Sequence, residues 1–236
     1  NTMQSLKFIL LLILSLSFSF ANTNDENKAL DALFNNLMSK KEWIFEEKIN
    51  DISISKKVIL GKDLVALKVE KEISILPKYI QDVILDVENY NEFLLSAKSM
   101  DSKELAKGKD WLDAYQYIPI DAPFLSDREY SFRISSKKIH KKDSISIVHW
   151  FLLDEHKYKI KKDPKKDVIY LDDGAGLWIS EKKENNNILL SYILYMDLEG
   201  SMPNFIIDKI NKVSLINIFK DILSEAAKRS LTQKKG

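Results

Sequence analysis

Asp197-Leu198-Glu199-Gly200-Ser201-Met202-Pro203 marks the step from a strand-like segment into the longest helical pattern of the chain. Residues 203–231 contain no glycine and no proline after Pro203, so they predict one helix about 43 Å long at 1.5 Å per residue. One stripe of this helix is apolar, which is typical of a helix that packs on another layer. The stripe consists of Ile206, Ile210, Val213, Ile216, Phe219, Leu223 and Ala226.

A second short stretch, Pro123-Phe124-Leu125-Ser126-Asp127-Arg128-Glu129-Tyr130, lies about seventy residues upstream and leads into a strand pattern. Around the two stretches, apolar residues mostly alternate with polar ones, which is the period of β-strands. We expect three strands within 43–75 and six more at 97–106, 110–118, 129–137, 144–154, 168–180 and 188–198. Asp172-Asp173-Gly174 is also a turn signal. Helical spacing predicts helices at 28–41, from Pro77 onward and at 90–95.

The N-terminal 21 residues have the pattern of a secretory signal peptide. Lys7 precedes an apolar run, and Ser19-Phe20-Ala21 places small residues three before and one before a cut after Ala21. A membrane-spanning helix needs roughly 20 apolar residues, whereas Phe8–Phe20 has 13 residues, three of them serines. We therefore expect a signal peptide at 3–21, an uncleaved anchor being the alternative. A flexible start at 22–27, one domain at 28–232 and a basic tail at 233–236 would follow, in a periplasmic or secreted protein.

Composition excludes several classes of function. After removal of residues 1–21 the chain has 35 basic and 35 acidic residues, and nucleic-acid binding requires a basic excess. The absence of cysteine excludes disulfides, thiolate metal ligands and thiol nucleophiles. The three histidines lack the spacing of metal ligands on a helix, so we predict no metal and no cofactor. No nucleophile elbow, phosphate-binding glycine loop or zinc-protease motif is present.

The order of elements and the two stretches resemble the START (steroidogenic acute regulatory protein-related lipid-transfer) domain. The resemblance covers about residues 28–232 and depends on the Pro-x-x-x-Asp-Arg-Glu run and the Asp-x-x-Gly-x-x-Pro step. It departs from the family where Asp51-Ile52 replaces a Gly-Ile step and where Tyr90 and Phe93 replace tryptophan. One strand position is also missing between Arg128 and Arg133 compared with animal members.

The resemblance implies an α+β, helix-grip (START/Bet v 1-like) fold: a curved antiparallel β-sheet wrapped around the long C-terminal helix. A hydrophobic tunnel would lie between them and hold one lipid, often a sterol or a phospholipid. The expected partners are therefore this lipid and, transiently, a membrane surface, with the protein a monomer. The C-terminal helix or the loop Ile118–Asp127 would act as the gate.

Two arginines are candidates for the tunnel. Alternation places Arg133 with Glu129, Ser131 and Ser135, opposite Tyr130, Phe132 and Ile134, which favours a solvated side chain. The resemblance instead implies an arginine inside the tunnel that pairs with an acid, and this would require a β-bulge. Arg128 could pair with Asp127 or Glu129 and fix the loop at the tunnel mouth, or it could meet the lipid.

Six further residues complete the candidate lipid site. His149 shares a face with Ile147 and Phe151, so we expect it to point inward, either satisfied within the core or contacting the lipid headgroup. Asp113 shares a face with Trp111 and Tyr115; it would pair with His149 or Arg133 if that face is inward, and be unremarkable if it is outward. Trp178 and Tyr192 are expected to pack or to line the tunnel.

Three functions remain open from the sequence. The first is a non-enzymatic protein that binds and transfers a single lipid in the periplasm. The second is a helix-grip cavity enzyme of cyclase or hydrolase type, acting on a small hydrophobic substrate with His149 and Asp113 as acid and base. The third is a scaffold whose interior is filled by its own side chains. We favour the first, because no catalytic motif is present.

Overall fold

The computed structural model describes residues 28–97, 99–120, 125–139, 145–158, 168–200 and 202–232. The expected signal peptide at 3–21, the start at 22–27 and the tail at 233–236 lie outside these residues. The chain divides into two compact units, Asn1–Ser39 and Lys40–Gly236. In the first unit the described structure is helix α1, at 28–38. None of the helices in the described ranges combines the length and the apolar character needed to cross a membrane.

The second unit contains the β-sheet and three more helices. Its helices are α2 (Pro77–Ile84), α3 (Tyr90–Phe93) and α4 (Asn204–Thr232), with short 3-10 turns at Val87–Asn89 and Leu95–Ala97. Its strands are β1 (Ile44–Ile49), β2 (Ile52–Val58), β3 (Val65–Ile73), β4 (Asp101–Lys107), β5 (Trp111–Ile118), β6 (Asp127–Ile139), β7 (Ile145–Leu153), β8 (Val168–Tyr170), β9 (Gly174–Lys182) and β10 (Ile188–Met196).

The strands form one ten-stranded sheet in the order β1-β2-β3-β10-β9-β7-β6-β5-β4, with β8 beside β6. Neighbours along this path are antiparallel, and β8 is parallel to β6. The single strand predicted at 168–180 is wrong. It divides at Leu171–Asp173, because β8 pairs with β6 whereas β9 pairs with β7 and β10. The Asp-Asp-Gly turn signal marks this division.

One face of the sheet carries the core. Val69, Tyr192, Trp178 and Val148 lie side by side across β3, β10, β9 and β7. The ring of Trp178 stacks on that of Phe219 in α4, with centroids 5.9 Å apart and planes 3° apart. We call this side of the sheet, which faces α4, the inner face, and the opposite side the outer face.

Helix α4 is 29 residues long, and its bounds lie within one residue of those predicted. Its buried row is Ile207, Asn211, Leu215, Ile216, Phe219, Ile222 and Ala226. The predicted stripe was therefore partly wrong, since Ile206 and Val213 are 36% and 51% exposed. Asn211 occupies a buried position and donates from Nδ2 to the Met196 carbonyl at 2.8 Å. A count of apolar residues omits this asparagine and so selects a neighbouring row of the helix.

Candidate functional site

An aromatic stack joins the inner face to α4. The rings of Trp178 and Tyr192 stack with centroids 4.0 Å apart and planes 7° apart. The ring of Phe219 in α4 also stacks on Trp178. Exposed fractions are 4% for Trp178 and 5% for Tyr192. The structure therefore places these two sequence candidates on the inner face, where they pack between sheet and helix.

A second aromatic group continues the inner face toward β5. Tyr130 and Phe132 of β6 lie 6.0 Å apart, and Phe132 meets Trp150 of β7 edge-to-face at 6.5 Å. Gly176 of β9 pairs with Trp150, and a Cβ atom added to Gly176 would lie 2.5 Å from the indole nitrogen. The glycine thus leaves room for the Trp150 ring to lie flat across the neighbouring strand.

A few polar groups interrupt this apolar surface. The hydroxyl of Tyr130 donates to Gln116 Oε1 at 2.5 Å, and Gln116 Nε2 donates to Ser102 Oγ at 3.2 Å. The Tyr90 hydroxyl donates to the Ile84 carbonyl. Burial raises the pKa of Tyr90, Tyr130 and Tyr192 far above the ordinary value. All three are therefore neutral phenols at physiological pH.

Sequence reasoning missed Gln116 and Tyr90 as parts of this site. The available signal for Gln116 was its parity, since Leu112, Ala114 and Gln116 share one side of β5 and oppose Ile134, Phe132 and Tyr130 of β6. Tyr90 carried no comparable signal, because it lies in a short helix whose orientation depends on the packing of distant strands.

Arg128 connects the sheet to the start of α4. Its side chain is buried, at 3% exposed. It donates from Nε to the Leu198 carbonyl at 2.7 Å, from Nη2 to the Glu199 carbonyl at 3.3 Å, and from Nη1 to the Ser126 carbonyl. Glu199 and Gly200 have φ angles of 54° and 82°, values that favour glycine. The two sequence stretches therefore meet here, with the arginine holding the turn that aims α4.

Similar proteins were found by comparing structures, and not by comparing sequences. No family of known sequences and no curated protein matches the chain. Human STARD10 superposes with a TM-score of 0.68 at 16% identity, covering 87% of this chain and 81% of that one. Human StAR-related lipid transfer protein 5 gives 0.66 at 13%, covering 90% and 99%. A STAR-related lipid transfer protein from Xanthomonas axonopodis gives 0.66 at 13%, covering 79% and 99%.

The chain has the START fold. This confirms the predicted helix-grip architecture, in which a large antiparallel sheet packs on a long C-terminal helix.

Within this START fold, five sequence candidates lie on the outer face. The pairing of β5 with β6 runs without a register shift from Trp111 to Ile118. Because Ala114 and Phe132 face inward as a pair, the adjacent pair Asp113 and Arg133 faces outward. The pairing contains no bulge that would turn Arg133 inward. Arg133 therefore lies on the side that alternation favoured, opposite Tyr130 and Phe132. Trp111 and Tyr115 share that side, and Tyr115 donates to Glu129 Oε2 at 2.7 Å.

The expected inward placement of His149 is wrong. Val148, Trp150 and Leu152 are the residues of β7 that join the core around α4, so His149 lies on the outer face, beside Ser135 of β6. Both sides of β7 are rich in apolar residues, and alternation alone does not say which side the helix covers. The proposed acid–base pair of His149 and Asp113 is thus outside the interior of the START fold.

Asp113 is the centre of a charged cluster on the outer face. Its carboxylate is fully buried and accepts from Arg133 Nε at 2.6 Å and Nη2 at 2.9 Å, from Lys157 at 3.1 Å and from the Tyr158 hydroxyl. The Arg133 guanidinium also lies 4.2 Å from the centre of the Trp111 ring. Burial acts to raise the pKa of Asp113, but the hydrogen bonds from Arg133, Tyr158 and Lys157 together outweigh it and lower the pKa. This cluster attaches the residues after β7 to the sheet.

Replacing Asp113 with asparagine is expected to lower the free energy of unfolding by about 1–3 kcal/mol at neutral pH. This loss of unfolding free energy is smaller than that expected for a wholly buried ion pair, because Arg133 is partly exposed. Because the pKa of Asp113 is lower in the folded than in the unfolded state, its ionised carboxylate stabilises the fold at pH values above the unfolded-state pKa. This stabilisation is lost as the pH falls through the folded-state pKa. Urea titrations should therefore show a constant difference between native chain and variant above about pH 5, which shrinks as the pH falls below the ordinary carboxyl pKa of about 3.9. Asp110→Asn, at an exposed turn residue, is the control, and a pH-independent difference would contradict the assignment.

Proposed function

We propose that this protein reversibly binds one lipid in the interior between the sheet and α4, and transfers it without chemical conversion. The observation that carries the proposal is the inner face itself. Large aromatic side chains from β6, β7, β9 and β10 share one buried apolar cluster with residues of α4, and Trp178 of β9 stacks on Phe219 of α4. This arrangement suits shielding a hydrophobic molecule from water. The START fold of lipid-transfer proteins adds support to it.

A carrier of this kind would solve a physical problem. Burying one methylene group is worth about 0.8 kcal/mol, so a 16-carbon chain resists leaving a bilayer by something on the order of 10 kcal/mol. An apolar interior replaces the bilayer during transit and removes most of this barrier. The signal-peptide pattern around Lys7 and Ala21 supports the periplasm or the exterior as the aqueous compartment that is crossed.

Exchange of the lipid would occur at a membrane surface, with α4 as the moving element. Helix α4 exposes Phe205 by 72% and Val213 by 51%, which are large apolar side chains outside the core. Leu60, 93% exposed, lies in the turn whose Asp63 carbonyl accepts a hydrogen bond from Asn204 at 3.4 Å. Exposed apolar residues near the start of α4 favour brief contact with a bilayer. A monomer suffices for this mechanism.

Native mass spectrometry tests the proposal. The full chain is expressed in a bacterial host, purified from the soluble and periplasmic fractions, and weighed intact before and after solvent extraction. We expect the mass of a chain cleaved after Ala21, with one extractable lipid at near one-to-one ratio. A bare mass that stays unchanged after incubation with mixed liposomes would contradict lipid binding. It would favour either an enzyme with a small substrate or a scaffold with a filled interior.

A further inference from the structure

The first ten residues of α4, 204–213, are packed less tightly than the rest of the helix. Their buried side chains are Ile207 and Asn211, whereas the later part of α4 contributes five buried apolar side chains. Asn211 holds this segment through its hydrogen bond to the Met196 carbonyl, and Phe205 is exposed. Segments that bury few apolar side chains open at the lowest cost in free energy. We call residues 204–213 the leading segment.

Ion pairs connect the leading segment to the edge of the sheet. Lys212 Nζ lies 3.0 Å from Glu46 Oε2 and 2.5 Å from Glu47 Oε1, both in β1. Lys56 of β2 contacts the other oxygen of Glu46 at 2.8 Å. Successive residues of a regular strand point to opposite faces, but β1 has a bulge between Phe45 and Glu47. The bulge thus lets two adjacent glutamates meet one lysine of the helix.

Asp208 is the carboxylate for which no donor remains at this contact. It precedes Lys212 by four residues and therefore shares its side of the helix. Its Oδ1 atom is buried, and within the described residues no group donates a hydrogen bond to it. Both lysines of the contact are engaged by the two glutamates of β1. Three carboxylates therefore share two ammonium groups, and the unpaired oxygen falls on Asp208.

Asp208 and Lys212 act in opposite directions on the docking of the leading segment. A buried acceptor without a donor destabilises the arrangement that buries it, whereas the Lys212 pairs stabilise the same arrangement. Burial raises the pKa of Asp208; Lys56 acts against this increase, Glu46 adds to it, and a backbone group of Val65 acts against it, with a net rise. The docked arrangement thus favours the protonated carboxyl group.

The remainder of α4 is anchored by groups that have their partners. Asp221 accepts hydrogen bonds from the Ser96 backbone nitrogen at 3.0 Å and from Ser96 Oγ at 2.6 Å. Arg229 pairs with Asp86 at 2.6 Å. Before the leading segment, Gly200 has a φ angle of 82° and is followed by a short connection to the helix. A pivot at Gly200 and a fixed later part leave the leading segment as the part that can move.

We propose that the leading segment opens and closes over the β1–β3 edge of the sheet while the rest of α4 stays in place, and that Asp208 sets the balance. Its ionised form favours the open arrangement, in which water solvates it, and its protonated form favours the closed one. The movement itself requires no ligand. Its use in admitting a lipid to the inner face rests on the proposed function, under which lipid exchange is faster at neutral than at acidic pH.

Hydrogen exchange of the full chain, followed by mass spectrometry, tests the role of Asp208. Asp208→Asn removes the charge and keeps the shape, so protection of the amides of 204–213 should rise about tenfold at about pH 7. After correction for intrinsic exchange rates, this gain should shrink as the pH falls toward the ordinary aspartate pKa of about 3.9, because the native carboxylate then becomes protonated in the closed arrangement. Unchanged or lower protection, or an equal gain at every pH, would overturn the inference.

The expected sign is diagnostic, and matched variants control for it. An acidic side chain near a helix N-terminus ordinarily stabilises the helix, so a gain on removing it is opposite to the usual result. Lys212→Met should lower the protection of 204–213 about threefold, whereas Lys209→Met, at an exposed position, should leave it unchanged. Asp221→Asn makes the same change at a carboxylate with two donors and should raise protection nowhere in α4. A gain there equal to that of Asp208→Asn would overturn the assignment. Thermal unfolding reports whether each variant folds.

Lipid transfer separates this inference from the proposed function. Pyrene-labelled phosphatidylcholine is followed from donor to acceptor phosphatidylcholine vesicles at about pH 7. Asp208→Asn should transfer it about tenfold more slowly than the native chain, in proportion to the gain in protection. Transfer at the native rate despite higher protection would overturn the role of the leading segment in exchange. Absence of transfer by the native chain would contradict the proposed function, and hydrogen exchange would still decide whether the segment opens.

Discussion

Replacing Phe219 with alanine is expected to lower the free energy of unfolding by about 3–5 kcal/mol. Phe219 is fully buried in the middle of α4, and its ring stacks on Trp178 of β9 with centroids 5.9 Å apart. Truncation removes the apolar contacts of a whole ring and leaves a cavity between helix and sheet that the stacked Trp178–Tyr192 pair cannot fill without leaving its own contacts. Urea unfolding followed by tryptophan fluorescence measures the change.

Phe205→Ala is the matched control for Phe219→Ala. It makes the same truncation in the same helix, but at a side chain that is 72% exposed, so its effect should stay within about 0.5 kcal/mol. Comparable losses at the two positions would show that α4 contributes through its helicity rather than through the aromatic stack. Under the proposed function, Phe219→Ala should also release bound lipid faster, whereas Phe205→Ala should instead slow exchange with vesicles.

Replacing Arg128 with methionine should have the next largest effect, a loss of about 2–4 kcal/mol. Hydrogen bonds to a charged group contribute about 1.5–3 kcal/mol each, and removal of the donor leaves acceptors unpaired in a buried setting. The carbonyls of Leu198 and Glu199 would lose their partner, and the turn with positive φ at Gly200 would be held less firmly. Methionine has a similar length and no charge, so the change isolates the guanidinium.

Hydrogen exchange distinguishes this local effect from general destabilisation. The amides of 197–200 and the first turn of α4 should exchange faster in Arg128→Met than the amides of β9 and β10. Arg128→Lys should be intermediate, because an ammonium cannot reach three carbonyls with the geometry of a guanidinium. Lys103→Met, at an exposed position of β4, controls for loss of one charge. Uniform acceleration across the sheet would contradict a role specific to the turn before α4.

Strong local periodicity made several elements predictable from sequence. α4 was predicted to within one residue, because a long stretch without glycine or proline has one regular structure available to it. Strands β1–β3 followed from alternation bounded by turn signals. The predicted strand at 168–180 failed because its two parts pair with different strands, which depends on residues far away in the chain.

The candidate site was predicted less well, for a geometric reason. Alternation sorts the residues of a strand into two sets, but it does not say which set faces the helix. Trp178 and Tyr192 lie on the inner face, whereas His149 and the pair Asp113–Arg133 lie on the outer face. Gln116 went unnoticed because a polar residue on an apolar side becomes informative only when its partner, Tyr130, is known.

The sequence by itself determined the element order and the long C-terminal helix, since these follow from local propensity and apolar period. The START-like architecture was implied by the resemblance that the two short stretches carry. The tertiary structure decided which side of each strand is covered by α4 and which polar groups meet there. That decision depends on pairings between residues far apart in sequence, such as Tyr130 with Gln116 and Arg128 with Leu198. Side chains acquire burial, partners and shifted pKa values only when the sheet closes on the helix.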